Sequence, residues 1–417
     1  MYILGINGGV RLGYQDVAAC LIKDGKVIFA VEEERLNRIK FSPGQLPERA
    51  IRQCLDFESI SMKDIDIVAS HGSTWGDAFK TVLSGYLNDN FGHCPELVFV
   101  HHHDAHAASA YYGSGFSEAM ILTMDASGDG ISTQLSVGKG NDLIVKKRYT
   151  RPHSLGIFYT MITQICGFRR DSDEYKLMGL SAYGDPDKYD LSQIINYNNN
   201  NFYLDETCIK TMKPGAPQPT KQEMIYSRKL TDFLGRRRLP GETIEQKHKD
   251  IAAAGQRQLE NIVIPMIRDF YESTGIRKLC LAGGVAQNCL LNQKLMNLDF
   301  IDDIYVQPAS SDAGISAGAA MFASVIKGIP VKPIHSAMLG MSYSDEEIEK
   351  ALNHIKVKYS KLRDPAKSAA ELLTENKIIA WFQGRMEFGP RALGNRSILA
   401  NPSMPMIKDA LNASIKY

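Results

Sequence analysis

The sequence lacks several features that mark particular classes of protein. Its seven cysteines are an odd number and form no CxxC pair, which argues against a disulfide scaffold or a zinc ribbon and favours reduced thiols. No apolar run reaches the roughly 18 residues of a membrane-spanning helix, and the N-terminus lacks the basic region of a secretory signal. The 48 lysines and arginines balance 47 aspartates and glutamates, so no charge excess favours nucleic-acid binding. We therefore expect a cytoplasmic globular protein without nucleic-acid or membrane partners.

Histidine is scarce but concentrated. Four of the ten histidines stand in the stretch "VHHHDAH", directly behind an apolar run. His102 and His106 are four residues apart, so on a helix they share one face and are able to chelate a divalent metal. His101 and His103 point away from that face, and we expect them to be structural. The alternative is a strand-to-helix junction with exposed histidines and no ligand.

The chain is long enough for two or three domains, and its first part contains a repeated pattern. Three predicted strands, "MYILGIN", "VAACLIK" and "KVIFAVEEE", have Asp24-Gly25 as a hairpin signal and the loop "NGGVRLGYQD" after the first strand. The pattern returns as "AMILTMD", the loop "DASGDG", and two further strands. Such Gly/Asp loops present backbone N–H groups to phosphates and carboxylates to a cation, which makes Ser127, Gly128 and Asp129 candidates for nucleotide binding. Two unrelated β-meanders are the alternative.

Two later segments repeat a strand, a small-residue turn and a helix. A long helix is predicted from Thr243 to about Thr274, after a connecting excursion rich in Pro, Lys and Arg. "KLCLAGGVAQNCLLN" then predicts backbone close to a nucleotide, with Gly283, Gly284 and Asn288 along it. "IYVQPASSDAGISAGAA" follows the same logic and carries Asp312 in its turn.

The C-terminal part begins after a linker near residue 330. A Ser/Asp helix cap opens "SYSDEEIEKALNHI". Beyond it, Arg385, Arg391 and Arg396 alternate with glycines in "GRMEFGPRALGNRS", a pattern that suits anion binding by guanidinium groups and exposed backbone. A basic surface loop is the alternative.

The motifs together resemble a family. "GYQDVAACLIKDGKVIFAVEEERLNR", "HHHDAHAASAYY", "MDASGDG", "DEYKLMGLSAYGDP", "LAGGVAQNCLLN", "SSDAGISAGAA" and "GRMEFGPRALGNRSILANP" occur in order and cover essentially the whole chain. They resemble the O-carbamoyltransferases of the NodU/CmcH family. The resemblance implies an α/β fold in which residues 1–335 form a duplicated actin-like (ASKHA, ribonuclease H-like) transfer domain, similar to the tRNA threonylcarbamoyl transferase. Its halves are expected at about 1–117 and 118–335, followed by the start of a YrdC-like α/β activation domain over 343–417.

The resemblance also implies the chemistry and the partners. Carbamoyl phosphate and ATP would give a carbamoyl adenylate, and the carbamoyl group would then pass to a hydroxyl of a small-molecule or glycan acceptor. Iron(II), or another divalent transition metal, would be held by His102, His106, Asp125 and Asp312, and Mg²⁺ would accompany ATP. A homodimer is left open.

Two departures from the family pattern leave alternatives open. Gln15-Asp16 stands where a His-Asp pair is common, and a glutamine cannot act as a general base, so Asp16 becomes the candidate. Lys176 of "DEYKLMGL" is a candidate to stabilise phosphate charge, or else a surface ion pair. The segment after the linker is short for the family, and we expect an incomplete activation domain. Competing functions are a phosphotransferase of the same superfold and a nucleotide- and metal-binding scaffold without transfer activity.

Overall fold

A computed structural model describes residues 1–9, 16–210 and 223–415, with the side chains of 412–415 excepted. The chain divides into two compact units, Met1–Ile334 and His335–Tyr417. Among the described helices, none is long and apolar enough to cross a membrane.

The first unit begins with a half that runs from β1 to α4 and is called the first half. Its elements are β1 (Tyr2–Asn7), β2 (Ala18–Lys23), β3 (Lys26–Glu32), α1 (Glu34–Asn37), α2 (Glu48–Glu58), β4 (Ile67–His71), α3 (Gly76–Phe91), β5 (Glu96–Val100) and α4 (His102–Ser114).

The five strands of the first half lie in the order β3-β2-β1-β4-β5. The first three strands form an antiparallel meander, while β4 and β5 run parallel to β1. Asp24 and Gly25 both have positive φ values, 47° and 77°, which is the conformation of a tight hairpin turn between right-twisted strands. The predicted meander and its turn are therefore confirmed.

The second half runs from β6 to α10. Its elements are β6 (Glu118–Gly128), β7 (Ile131–Lys139), β8 (Asp142–Thr150), α5 (Leu155–Ile165), α6 (Glu174–Ser181), β9 (Ile195–Asn198), β10 (Asn201–Leu204), α7 (Arg228–Leu234), α8 (Gln246–Thr274), β11 (Lys278–Ala282), α9 (Cys289–Met296), β12 (Asp303–Val306) and α10 (Ala313–Ile326).

The sheet of the second half has the same order as that of the first. Its strands lie as β12-β11-β6-β7-β8, with β6, β7 and β8 antiparallel and β11 and β12 parallel to β6. Each half is thus a three-strand meander extended by two parallel strands. This equivalence confirms the predicted duplicated α/β fold and excludes two unrelated meanders.

The last helix of each half packs across onto the sheet of the other half. α4 contacts β6 and β11, whereas α10 contacts β1, β2 and β4. The two helices also cross each other at close range, because a Cβ added at Gly318 would lie only 1.8 Å from the carbonyl oxygen of Ala105. Small residues along both helices permit this approach, which brings the first turns of α4 and α10 side by side.

The core of the second half lies between its sheet and the helices that follow the meander. Phe158 and Ile162 of α5 pack with Leu259 and Ile262 of α8 in one buried apolar cluster. The predicted long helix corresponds to α8, which begins at Gln246, three residues after the predicted start at Thr243. Part of the predicted connecting excursion, residues 211–222, lies outside the described residues, and the rest includes α7.

The second unit contains α11 (Asp345–His354), α12 (Pro365–Thr374), β13 (Ile379–Phe382), β14 (Arg396–Leu399) and α13 (Ile407–Ile415). Strands β13 and β14 form an antiparallel pair. The predicted cap of α11 is present, since Ser344 Oγ accepts the N–H of Glu347 and the Glu347 carboxylate accepts the N–H of Ser344.

Candidate metal centre

Four potential metal ligands come together where the two crossing helices begin. His102 and His106 occupy one face of the first turns of α4. Asp125 lies near the end of β6, where the register with β7 is interrupted between Met124 and Gly128. Asp312 immediately precedes α10. The structure therefore gathers the four residues that the family resemblance implies as ligands.

The spacing of the four ligand atoms suits an ion between them. His106 Nε2 lies 3.4 Å from Asp125 Oδ2 and 3.4 Å from Asp312 Oδ1, and His102 Nε2 lies 3.8 and 3.6 Å from the same oxygens. Ligand atoms that each lie ~2.1 Å from a metal ion in tetrahedral geometry are ~3.4 Å from one another. Both Nε2 atoms are buried and have no hydrogen-bond partner among the described residues. Unpaired imidazole nitrogens facing carboxylates are the donor set that a transition metal requires.

The electrostatics of this cluster favour a cation. Burial lowers the pKa of His106, but the close approach of the Asp125 and Asp312 carboxylates outweighs burial and raises the pKa to about 9. Burial and the Asp125 charge raise the pKa of Asp312, while the histidines hold the pKa of Asp125 well below its ordinary range despite burial. Two carboxylates therefore share a small space with two imidazoles, an arrangement that attracts positive charge.

Backbone groups fix the Asp125 carboxylate. Its Oδ1 accepts the N–H of Ala126 at 2.6 Å, and its Oδ2 faces the N–H of Gly284 at 3.3 Å. Ser154 Oγ donates to the carbonyls of Asp125 and Ala126 at 3.0 and 2.9 Å. Gly283 donates its N–H to Ser310, two residues before Asp312. The predicted Gly-Gly turn thus lies against the metal centre, and its role in nucleotide binding stays a prediction.

The "DASGDG" turn also lies at the centre. Gly128 is buried against the ring of His102, and Asp129 accepts hydrogen bonds from the backbone of His102 and from Thr74. Ser127 is half-buried beside them. These contacts tie the turn to the start of α4, and the nucleotide role of the three residues stays a prediction.

Asp16 lies at the edge of the same cluster. Its carbonyl accepts the side-chain N–H of Asn7 at 2.9 Å, and its φ of 57° is left-handed. Burial, together with the nearby charge of Asp312, raises the pKa of Asp16 to about 7, although hydrogen bonding to Ser311 opposes the rise. Gln15 lies outside the described residues. Asp16 therefore lies close to Asp312 of the metal centre, and its role as the proton acceptor stays a prediction.

Lys176 forms an ion pair within its own segment. Its Nζ lies 3.1 Å from Asp173 Oδ1, one helical turn earlier, and its side chain is partly exposed. The neighbouring Glu174 accepts the N–H groups of Asp171 and Ser172 at 2.8 Å and the hydroxyl of Thr160 at 3.0 Å. Lys176 therefore has the ion-pair partner that the alternative interpretation expects, and its phosphate role stays a prediction.

Asn288 is engaged inside the protein. Its Oδ1 accepts the N–H of Leu291 and caps α9, and its Nδ2 donates to Gln256 Oε1 at 2.8 Å. Gln256 Nε2 in turn donates to Asn288 Oδ1 at 3.1 Å. This buried amide pair ties α8 to the start of α9. The contacts give Asn288 a structural role beside the predicted nucleotide role.

The three arginines of the glycine-interleaved segment lie in the second unit. Arg385 donates to the carbonyls of Leu339 and Gly340, and Arg396 Nη2 reaches the carbonyl of Gly389 at 3.4 Å. Arg391 is exposed. The guanidinium groups of Arg385 and Arg396 thus stabilise the fold of this segment, and anion binding by the three residues stays a prediction.

Glu387 organises the arginine segment and was missed by sequence reasoning. One of its carboxylate oxygens accepts the N–H groups of Leu393, Asn395 and Arg396 at 2.8, 2.9 and 3.1 Å. Burial raises the pKa of Glu387, but these backbone hydrogen bonds outweigh it and lower the pKa. No local pattern marks such a residue, because its partners follow it across a turn.

His71 is a second residue that sequence reasoning missed. It ends β4, is buried, and packs edge-on against His102 with 5.7 Å between ring centroids. Burial and the nearby His102 lower the pKa of His71 to about 3, so its ring is neutral. Its position at the carboxyl end of a parallel strand was the available signal, since functional groups collect at that edge of α/β sheets.

Known protein families match two parts of this chain. Residues 78–321 match a family model described as carbamoyltransferase N-terminus, and residues 370–417 match one described as carbamoyltransferase C-terminus. Nodulation protein NolNO of Sinorhizobium fredii (strain NBRC 101917 / NGR234) is 37% identical over 100% of this chain and 64% of its own length. An uncharacterized protein of Synechocystis sp. (strain ATCC 27184 / PCC 6803 / Kazusa) is 34% identical over 98% of this chain and 73% of its own length.

A solved structure is similar at low identity. Full-length HypF in its phosphate- and nucleotide-bound form aligns with 78% of this chain and 55% of its own chain, at 15% identity and a TM-score of 0.41. The chain spans 64% of the length of NolNO, so it corresponds to only part of that relative. Because the N-terminal family model covers more than half of the chain and NolNO matches along all of it, the chain belongs to the carbamoyltransferase family.

Proposed function

We propose that this chain transfers a carbamoyl group to a hydroxyl of a small-molecule or glycan acceptor. The observation that carries the proposal is the cluster of His102, His106, Asp125 and Asp312, whose ligand atoms all lie within 4.8 Å of one another in a member of the carbamoyltransferase family. A phosphotransferase of the same superfold needs a catalytic aspartate and Mg²⁺ but no pair of helical histidines. The histidine pair therefore favours carbamoyl transfer.

The four clustered residues would hold one divalent transition metal, with iron(II) as the expected ion. The fit rests on two carboxylates at ligand spacing and two buried imidazole nitrogens that have no hydrogen-bond partner in the part of the chain the structure describes. When bound, such a metal supplies Lewis-acid stabilisation of negative charge on a carbonyl or phosphate oxygen. The protein contributes the pre-formed donor set and a partly buried site in which charge interactions are strong.

The transfer step requires a group that accepts a proton. The acceptor oxygen forms a bond to the carbamoyl carbon, the bond from that carbon to the adenylate oxygen breaks, and AMP leaves with the electron pair. The hydroxyl proton passes to a base. Asp16 is the candidate among the described residues, because its carboxyl group lies beside Ser311 and Asp312 at the edge of the cluster.

The two units would divide the reaction. We assign the transfer step to residues 1–335, and to the YrdC-like part over 343–417 a contribution to the formation of carbamoyl adenylate from ATP, with Mg²⁺, and carbamoyl phosphate. Arg385, Arg391 and Arg396 are the candidates for anion contacts there, and the match of residues 370–417 to the C-terminal family model supports this division.

The test supplies carbamoyl adenylate directly, so that its outcome does not depend on the activation step. The protein is loaded with iron(II) under anaerobic conditions and given a panel of sugars, aminoglycosides and oligosaccharides, and the products are analysed by mass spectrometry. We expect a carbamoylated product that disappears when the metal is chelated. Metal-independent product would refute the assigned centre, and phosphorylated product formed from ATP would favour a phosphotransferase.

A further inference from the structure

The His102 ring lies against Gly128, in the turn for which the sequence predicts phosphate binding. A Cβ placed on Gly128 would lie 2.0 to 2.3 Å from the Cδ2, Cγ and Nε2 atoms of His102. Such distances are far below van der Waals contact, so any side chain at this position would displace the ring. Gly128 therefore provides the space in which the His102 imidazole sits.

The next residue fixes the backbone of the same histidine. Asp129 Oδ2 accepts the N–H of His102 at 2.8 Å, and Asp129 Oδ1 accepts the hydroxyl of Thr74 at 2.6 Å. The backbone N–H of His102 lies in the first turn of α4, where N–H groups have no acceptor within the helix. Asp129, at the end of a strand distant in sequence, supplies that acceptor and so acts as a helix cap. The negative charge also lies at the positive end of the α4 dipole.

The same contacts argue against phosphate binding by this turn. The Asp129 carboxylate would repel a phosphate placed at the turn, and each of its oxygens already accepts a hydrogen bond within the protein. Thr74 holds the carboxylate from the loop after β4, so three separate segments meet at the start of α4.

We propose that Gly128 and Asp129 are positioning residues for His102 of the metal centre, and not ligands of a nucleotide. The inference depends on one part of the proposed function, namely that His102 is a ligand in a metal centre. Gly128 determines where the imidazole ring lies, Asp129 determines where its backbone lies, and Thr74 holds Asp129 in place.

The experiment titrates metal-free protein with Co²⁺ and follows the visible absorption of the bound ion, while ATP binding without metal is measured by calorimetry. Asp129→Ala should weaken Co²⁺ binding by roughly 10–100-fold, the usual effect of removing a group that orients a metal ligand. The spectrum of bound Co²⁺ should shift towards that of His102→Ala. Asp129→Asn, which keeps one oxygen acceptor, should lie between wild type and Asp129→Ala. ATP affinity should not change.

Thr74→Val keeps the proposal testable if Asp129→Ala does not fold, because it removes only the hydroxyl that holds the carboxylate. Its matched control is Thr81→Val on α3, whose hydroxyl donates to the carbonyl of Asp77 on an exposed surface. Asp142→Ala, at an exposed hairpin end, is the control for Asp129→Ala.

The outcomes separate this inference from the proposed function. Unchanged Co²⁺ affinity and spectrum in both Asp129→Ala and Thr74→Val would overturn the positioning role. Loss of ATP binding with intact Co²⁺ binding would assign the turn to a nucleotide instead. If the wild-type protein binds no Co²⁺ at all, the metal centre itself is refuted, and the inference fails together with it.

Discussion

The two halves of the first unit have the same sheet order but contribute different chemistry to the centre. In each half a helix follows the last parallel strand, α4 after β5 and α10 after β12, and each helix begins at the cluster. The first half contributes the imidazoles of His102 and His106. The second half contributes the carboxylates of Asp125 and Asp312. The two equivalent helix starts therefore lie together, with nitrogen ligands on the first half and oxygen ligands on the second.

The halves also differ in what is added to the common sheet. Between its third and fourth strands the first half has only α1, α2 and a short turn, whereas the second half inserts α5 to α8 between β8 and β11. Glu174 and Lys176 belong to that insertion. The second half therefore supplies the two carboxylates and the additional helices α5 to α8, while the first half supplies mainly α4 with its two histidines.

The largest expected effect is the loss of the metal when a histidine of the first half is removed. His106→Ala deletes one of the donors, and it leaves the two carboxylates of the second half with His102 as the one remaining imidazole of the ligand set. The loss of Co²⁺ or Fe²⁺ affinity should exceed the roughly 10–100-fold loss that is typical of changes outside the ligand set. Elemental analysis of the purified variant, with circular dichroism to establish folding, measures the result.

The matched control for His106→Ala is His354→Ala, since His354 is an exposed histidine at the end of α11 in the second unit. The control should retain the metal content of the wild type. Full occupancy in folded His106→Ala would show that the first half does not supply the ligands.

The second prediction concerns the helix crossing that joins the halves. Gly318→Ala would place a methyl group 1.8 Å from the carbonyl oxygen of Ala105, so α10 and α4 would have to separate. We expect the free energy of unfolding to fall by about 3 kcal/mol, at the upper end of the usual cost of overpacking. Urea denaturation followed by circular dichroism measures the change, and the metal affinity should fall with it because both helix starts move.

Gly179→Ala on α6 is the control for the crossing, because nothing lies within 4 Å of a Cβ added there. Alanine is the better helix former, so this variant should be neutral or more stable by up to about 1 kcal/mol. Equal stability of the two variants would mean that the crossing is not tight.

Local sequence patterns predicted the parts of the fold that depend on local structure. The meanders follow from apolar runs and the Asp24-Gly25 turn, and the shared face of His102 and His106 follows from helical spacing. Asp125 and Asp312 could be joined to the histidines only through the family resemblance, because the chain segments that carry them meet by the crossing of α4 and α10.

The parts that could not be predicted depend on partners far away in the chain. The sequence predicts a nucleotide role for Asp129, which stays a prediction, but it does not predict the hydrogen bonds to Thr74 and His102, 55 and 27 residues away. The sequence likewise predicts anion binding by Arg385, which stays a prediction, but not its hydrogen bond to a carbonyl 45 residues earlier. Residue type and spacing indicate which groups a side chain is able to bind, whereas the tertiary structure determines which of those groups lies next to it.

A third prediction tests whether the second half contributes charge as well as geometry. Asp312→Asn keeps an oxygen at the ligand position but removes one of the two negative charges. We expect the affinity for Co²⁺ to fall by about tenfold, equivalent to ~1.4 kcal/mol, which is less than the effect of His106→Ala. Asp303→Asn, at the exposed start of β12, is the control. An unchanged Co²⁺ affinity in Asp312→Asn would remove Asp312 from the ligand set.

The smallest expected effect concerns Glu174, in the insertion that distinguishes the second half. Burial, with a smaller contribution from the Asp171 charge, raises the pKa of Glu174 from 4.5 to about 7, against the opposing effect of its hydrogen bonds. A carboxyl group whose pKa is higher in the folded protein binds its proton more tightly there. Its stabilising contribution is fully present below about pH 4.5 and is lost as the pH rises through about 7.

Glu174→Gln should remove this part of the pH dependence, because glutamine is neutral at every pH. We expect the wild type to lose more stability than the variant between pH 4.5 and pH 8, measured as the free energy of unfolding in urea at each pH. Glu272→Gln, on the exposed side of α8, should leave the wild-type slope unchanged. If Glu174→Gln and Glu272→Gln give the same slope, Glu174 is ionised in the folded protein at neutral pH. The hydrogen bonds from Asp171, Ser172 and Thr160 would then outweigh the effect of burial on the pKa of Glu174, and a charged carboxylate would connect these segments to α6.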